Sequence, residues 1–327
     1  MHNDAMWHRP CKFLPSAMTT LQHTIRRQVT VDGIGLHSGE PVRLTLSPAA
    51  ADTGIIFRAA DGTLIPANAD HVVDSHYATT LGAFGVRIRT VEHLMAAASG
   101  LGIDNLIVDV SADEIPAMDG SAKPFVDLLD SAGRLALPAP RRPLVINQPL
   151  RVGEGGRWIE VVPADGLRIS YTLDNDHPVI GLQVVSFAVT EQVFTDELAS
   201  ARTYGFLRDV GMLRKNGLAR GGSLENAVVV GKRSVLNDHL RYADEFVRHK
   251  VLDLVGDLSL LGRPLQGHVV ARNAGHALNY QLVTAIQTSL SAERRRSAAR
   301  VPSALVGTLE HADPMPASRR RPRIATA

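Results

Sequence analysis

Apolar and polar residues alternate with period two from Leu21 onward, the spacing of strands that bury one face. Residues 24–31 and 42–46 alternate in this way around a glycine-rich turn, residues 32–39, whose glycines are expected to take positive φ. Residues 54–58 and 86–89 read as further strands. The period then lengthens to that of a helix over residues 90–97, with Thr90 as the expected N-cap and Gly100 as the stop. A strand over 105–110 and a short helix over 122–130 follow. Residues 133–143 carry Pro138, Pro140 and Pro143 and read as a linker. Strands are expected again over 144–146, 157–162, 167–173 and 183–189. A long helix over 243–261 places Phe246, Val247, Val251, Leu254, Val255 and Leu258 on one side; a strand over 267–271 and a helix over 277–290 close the pattern. Strand runs followed by helices in each half predict an α+β fold rather than a doubly wound sheet. No sequence repeat joins the halves.

Length adds a domain count: 327 residues, at roughly 150 per domain, give about two. We divide the chain into a disordered leader (1–17), a first α+β domain (18–137), a second (143–288) and a basic disordered tail (289–327). Hydrophobic residues at 45% and charged residues at 21% exclude a disordered or fibrous chain. The longest apolar stretches fall short of the ~18 residues that span a bilayer, and no signal-peptide pattern opens the chain. The single cysteine, Cys11, builds neither an internal disulfide nor a thiolate metal site. These features together predict a cytoplasmic, reduced protein. The net charge of +2 is unevenly placed. From Gln287 onward, Arg294, Arg295, Arg296, Arg300, Arg319, Arg320, Arg321 and Arg323 face only Glu293, Glu310 and Asp313, so the body is mildly acidic. Such a tail can attract nucleic acid or an anionic membrane. The preferred reading is a solvated extension, with no nucleic-acid partner expected.

Among candidate chemistries, the glycines of Gly33-Ile34-Gly35-Leu36-His37-Ser38-Gly39 imitate a dinucleotide fingerprint. That motif needs a helix immediately after it, and here a strand pattern follows. Three histidine segments carry more. His249 and Asp253 are four apart, on one face of the long predicted helix, a spacing that grips a metal ion. Glu92 and His93 are adjacent on the first helix, so one could ligate while the other reaches a water. His276 follows a glycine just before the last helix. Each piece alone has a bland reading: a surface ion pair, a chance neighbour, a helix entry. Together they supply three protein ligands with an open position, plus groups for proton traffic.

Six ordered blocks then add a resemblance. Thr90-Val91-Glu92-His93-Leu94, Gly102-Ile103-Asp104-Asn105, the run from Glu114 to Ala122, Ala201-Arg202-Thr203-Tyr204-Gly205-Phe206, the run from Asp244 to Asp253 and Gly275-His276-Ala277-Leu278-Asn279 closely resemble the signature segments of the UDP-3-O-acyl-N-acetylglucosamine deacetylase family, the zinc amidases of lipid A synthesis. The resemblance implies two α+β domains of similar topology, with helices sandwiched between two β-sheets and the site at their junction. It implies one catalytic Zn2+, with Fe2+ as the cellular alternative, held by His93, His249 and Asp253. It further implies Glu92 as general base, His276 with Asp257 as proton donor, Thr203 at the developing oxyanion, and Tyr204 and Lys250 on the substrate. Tyr204 stands where the family often has Phe. The acyl chain of the substrate is expected along the apolar stretch 210–218, in a monomer that touches the inner membrane transiently. Without the resemblance, Asp257 and Lys250 read as surface charges, Thr203 as a cap, and His37, His71 and His76 as structural or exposed. Two rival readings remain open on the residues alone. A mononuclear iron oxygenase shares the ligand set but places it on barrel strands, and a non-catalytic binding protein would work through the basic tail.

Overall fold

The structure, a computed structural model, describes residues 20–299. The expected leader lies outside the described residues, as does the tail beyond Ala299. Residues up to Ile286 form one compact unit. The described residues from Gln287 to Ala299 belong to a second unit and form the end of the last helix.

The first half runs β1 (Leu21–Ile25), β2 (Val29–Ile34), β3 (Pro41–Pro48), β4 (Ile55–Arg58) and β5 (Leu64–Pro66). A small antiparallel insert follows, β6 (Val72–Asp74), β7 (Thr80–Ala83) and β8 (Val86–Ile88). Helix α1 (Glu92–Gly100), β9 (Leu106–Val110), helix α2 (Lys123–Ala132) and β10 (Arg134–Pro140) complete it. The second half runs β11 (Leu144–Val145), β12 (Leu150–Glu154), β13 (Arg157–Val162), β14 (Leu167–Asp174) and β15 (Leu182–Ala188). Its insert holds a short α3 (Glu191–Val193) continued by a π turn, then β16 (Tyr204–Phe206), α4 (Leu207–Lys215) and β17 (Val228–Val230). Helix α5 (Glu245–Ser259), β18 (Leu265–Arg272) and helix α6 (His276–Ala299) end the described chain.

The two halves share one topology. Their main sheets have the orders β2-β3-β9-β4-β5 and β12-β13-β18-β14-β15. In each, the central strand is antiparallel to the first hairpin and parallel to the leading strand of the second. In each, an insert separates the fourth of these strands from a helix, the central strand and a second helix. The expected α+β architecture is therefore present, and the repeat that the sequence hides is visible in strand order.

Alternation explains the layers. Val42, Leu44 and Leu46 on β3, Leu106, Val108 and Val110 on β9, and Ile169, Tyr171 and Leu173 on β14 are buried, while their neighbours are partly exposed. These faces cover a central helix pair. Helix α1 is buried from Glu92 to Ala98, and α5 along most of its length, as helices are when packed on all sides. The two cross closely at Gly256, where a Cβ would collide with the Glu92 carbonyl oxygen. Only glycine permits that approach.

Four local expectations are corrected. The single strand expected over residues 24–31 is two, because the Arg26 amide turns away to the Gly133 carbonyl and β1 pairs with β10 rather than β3. The proline-rich linker is β10 itself, in a two-stranded ladder whose free edge tolerates proline. Gly39 takes the expected positive φ of +73, but Gly33 and Gly35 do not: a side chain at either would collide, with Pro116 or with the Glu114 carboxylate. The tail expected from residue 289 begins as helix, since α6 continues to Ala299.

Candidate functional site

Helices α1 and α5 bring together the residues that the histidine segments singled out. His93 stands in the first turn of α1, and His249 and Asp253 lie one turn apart on α5. Ligand atoms from all three lie within 4.8 Å of one another, and all three residues are buried. Asp253 Oδ1 is 3.5 Å from His93 Nε2 and 3.2 Å from His249 Nε2. The His249 Nδ1–H donates to the Ala201 carbonyl at 3.1 Å, which turns the Nε2 lone pair toward the cluster. Asp253 divides its oxygens: Oδ2 accepts from Lys250 Nζ at 2.6 Å, whereas Oδ1 is buried without a hydrogen bond. A buried carboxylate oxygen left in this way is costly, and two imidazoles with one carboxylate are a donor set for a divalent cation. The residues thus fit a metal ion.

Charge reinforces the fit. Burial alone raises the Asp253 carboxyl, but His249 and Lys250 outweigh it and hold the group well below the usual carboxylate range. Burial depresses His249, which favours the neutral ring that a metal needs. Lys250 is raised despite burial, chiefly by Asp253 and then by Tyr204.

Two proton-handling groups flank the cluster. Burial, opposed by His276 and reinforced by Asp253 and Asp257, pushes Glu92 up to about 7. Burial opposes the charged His276 ring, yet Asp257 outweighs it through charge and hydrogen bond, and His276 rises to about 9. Its Nδ1 lies 2.8 Å from Asp257 Oδ2, which also accepts from Asn279 Nδ2 at 2.8 Å. Asp257 is 1% exposed and sits behind His276, so the surface-charge reading of this residue fails. A carboxylate that can hold or release a proton near neutrality thus faces an imidazolium across the cluster. This pairing suits hydrolysis, with one group taking a proton from water and the other giving one to a leaving atom.

Glu92, His93, His249, Lys250, Asp253 and His276 line a cleft of about 1050 Å³, whereas Asp257 and Asn279 do not. Thr203 and Tyr204 line it too. Thr203 caps no helix: its amide donates to the Gly120 carbonyl and its carbonyl accepts from Val228. The Tyr204 ring packs edge-on against Phe246, with Lys250 Nζ 5.7 Å from its centroid. Val210, Met212 and Leu213, from the apolar stretch, also line the cleft. His37 and His76 also line it, whereas His71 ends a short turn and its Nδ1 lies 2.7 Å from Oδ1 of the capping Asn68.

Sequence reasoning missed several residues that build this site. Thr90 is not a helix cap: it has φ +61 and donates to Glu114 Oε1 at 3.0 Å, while Val91 precedes α1. Glu114 also accepts from the amides of His37 and Ser38, tying the glycine loop to the entry of α1. Glu245, one turn before His249, pairs with Arg202 at 2.8 Å and accepts from the Arg202 amide, fixing the segment that offers the Ala201 carbonyl. Asn279, three residues after His276, had a readable signal in that spacing; Thr90, Glu114, Arg202 and Glu245 stand inside the resembling blocks, but no spacing singled them out.

Comparison with known proteins supplies the affiliation. The family model described as LpxC, UDP-3-O-acyl N-acetylglycosamine deacetylase, matches residues 22–288. A protein of Myxococcus xanthus named UDP-3-O-acyl-N-acetylglucosamine deacetylase is 50% identical over 83% of this chain and 87% of its own length. Proteins of that name from Oleidesulfovibrio alaskensis and Methylococcus capsulatus are 52% and 50% identical, over 79% and 80% of this chain and 86% and 88% of their own. With a match that takes in both halves and every residue of the cluster, the chain belongs to the UDP-3-O-acyl-N-acetylglycosamine deacetylase family.

Proposed function

We propose that this chain hydrolyses the N-acetyl group of UDP-3-O-acyl-N-acetylglucosamine, giving acetate and the free amine, in the lipid A pathway. The observation that carries the reading is the buried His93, His249 and Asp253 cluster flanked by Glu92 and the His276–Asp257 pair. We assign His93, His249 and Asp253 to one zinc ion, with ferrous iron acceptable to the same donors. Bound there, the ion supplies Lewis acidity toward the amide carbonyl and lets water attack near neutral pH.

The chain's own groups do the rest. Glu92 takes a proton from the attacking water, general-base assistance typically worth ~10² to 10⁴ in rate. Its burial keeps the carboxylate basic enough for that task. His276, kept cationic by Asp257, stabilises the negative oxygen of the tetrahedral state and then delivers its Nε2 proton to the departing nitrogen. Proton balance closes: one proton passes from water to Glu92 and another from His276 to the amine. Thr203 faces the oxyanion, Tyr204 packs on the sugar, and Lys250 steadies Asp253 while lying within reach of the substrate. The cleft beyond Val210 and Met212 takes the acyl chain.

No helix among the described residues is long and apolar enough to cross a membrane. We place the chain in the cytoplasm as a monomer that meets its lipid-bearing substrate at the inner-membrane surface. The test is release of free amine from UDP-3-O-acyl-N-acetylglucosamine by purified protein, before and after stripping with a chelator. Turnover that vanishes on stripping and returns with zinc is expected. Metal-loaded, folded protein that releases no amine across several acyl lengths would overturn the reading.

A further inference from the structure

Thr79 lies just before β7, is 3% exposed, and touches both proton-handling groups. Its amide donates to Glu92 Oε2 at 3.0 Å. Its hydroxyl donates to Asp257 Oδ1 at 2.6 Å, and the same oxygen is 3.3 Å from His276 Nδ1. Its carbonyl accepts from the Val91 amide at 3.3 Å, at the root of the turn that carries Glu92 and His93. It makes no contact with the three metal-cluster residues in this set of bonds.

We propose that Thr79 is a positioning residue that holds the general base and the general acid in register with each other. The inference rests on the roles given above to Glu92 and His276. Glu92 comes from α1 in the first half, and Asp257 and His276 come from α5 and α6 in the second. Packing of α1 on α5 at Gly256 sets the backbones, but the side chains keep a fixed separation only if something holds them both. Here the span is the covalent path from one residue's N to its own Oγ1. The hydroxyl also completes Asp257. Oδ2 is shared by His276 and Asn279, and Thr79 supplies the donor on Oδ1. Without that donor a buried carboxylate oxygen is orphaned, and Asp257 relaxes by rotating away from the line that aims the imidazole.

The hydroxyl separates this role from packing. Thr79→Val keeps the shape and the backbone bond to Glu92 but deletes the hydroxyl; Thr79→Ser keeps the hydroxyl and deletes a methyl. In zinc-loaded protein, T79V is expected to lower kcat by about ten- to a hundredfold, the loss of one hydrogen bond to a charged group. KM should stay within about twofold. T79S should retain most of the turnover, and zinc affinity, read by competition with a chromogenic chelator, should match in all three proteins. A packing role predicts the reverse order, Val tolerated and Ser impaired. If T79V does not fold, Thr79→Ala replaces it, since Ala and Ser differ only by the oxygen. Glu92→Ala serves as the control. An active wild type and an inactive E92A beside T79V or T79A with the kcat of T79S would overturn the Thr79 assignment alone. A wild type that holds zinc and releases no amine would remove the deacetylase reading, and this role with it.

Discussion

Asp257 governs His276 through charge and contact together, which makes the imidazolium persist well above its ordinary range. In a base–acid pair, the rate rises with pH as Glu92 loses its proton and falls as His276 loses its own. A bound dication favours the carboxylate and disfavours the imidazolium, so both limbs of kcat/KM in the loaded protein should lie below about 7 and about 9. Asp257→Asn removes the main support of the imidazolium and should move the basic limb further down, by more than the acidic one. A pH–rate profile of the zinc-loaded variant checks this; a basic limb that stays in place would show that His276 does not set it. At this scale the sequence was only partly legible. His249 and Asp253 announced themselves because four residues make one helical turn. His93 and His276 were candidates by residue type, and family resemblance gave them their roles. Thr79 announced nothing, because its bonds reach 13 residues to Glu92, 178 to Asp257 and 197 to His276. No local pattern encodes a contact of that span.

Among elements, the site depends on how closely α1 and α5 approach. Gly256 sits one turn beyond Asp253, against the backbone of Glu92. Gly256→Ala should push the helices apart, costing about 1–3 kcal/mol as overpacking does, and should weaken zinc binding by misplacing His93 relative to Asp253. Thermal unfolding of the metal-free protein reads the first effect and chelator competition the second. A lowered Tm with unchanged zinc affinity would mean that helix spacing does not set the ligand cluster. The elements themselves were largely legible: period-two runs became β3, β9, β13 and β14 nearly to the residue. Where legibility failed, a distant partner decided. Arg26, Arg27 and Gln28 interrupt the alternation with no turn residue to mark a break, and Gly133 claims the Arg26 amide and divides the strand there. Pro138 and Pro140 read as linker because proline cannot donate, but a ladder with one free side does not need every donor.

Across the whole molecule, the shared strand order of the two halves was invisible because topology survives when residue identity does not: any apolar side chain of suitable size serves the alternating positions. The two inserts then differ, one short and one long, and between them they line the cleft with residues such as Tyr77 and Leu213. The basic residues beyond Ala299 read from the sequence as a solvated extension, and contact with an anionic membrane is the alternative to test. If they assist contact with an anionic membrane, deleting residues 300–327, which carry Arg300, Arg319, Arg320, Arg321 and Arg323, should lower co-sedimentation with anionic vesicles while leaving turnover of dispersed substrate intact. Equal co-sedimentation of both proteins would reject that alternative.

The division of the ligands between α1 and α5 also bears on how the protein is born. His93 leaves the ribosome long before His249, and at ~5–20 residues per second the interval is on the order of ten seconds or more. Throughout that interval a nascent chain owns only one of the three proposed ligands. The remaining two arrive together, on one helix, with β18 and α6 still to come. On the proposed ligand assignment, a complete metal site cannot exist before α5 has left the ribosome, and the ion it then acquires is drawn from whatever the surrounding pool offers at that moment.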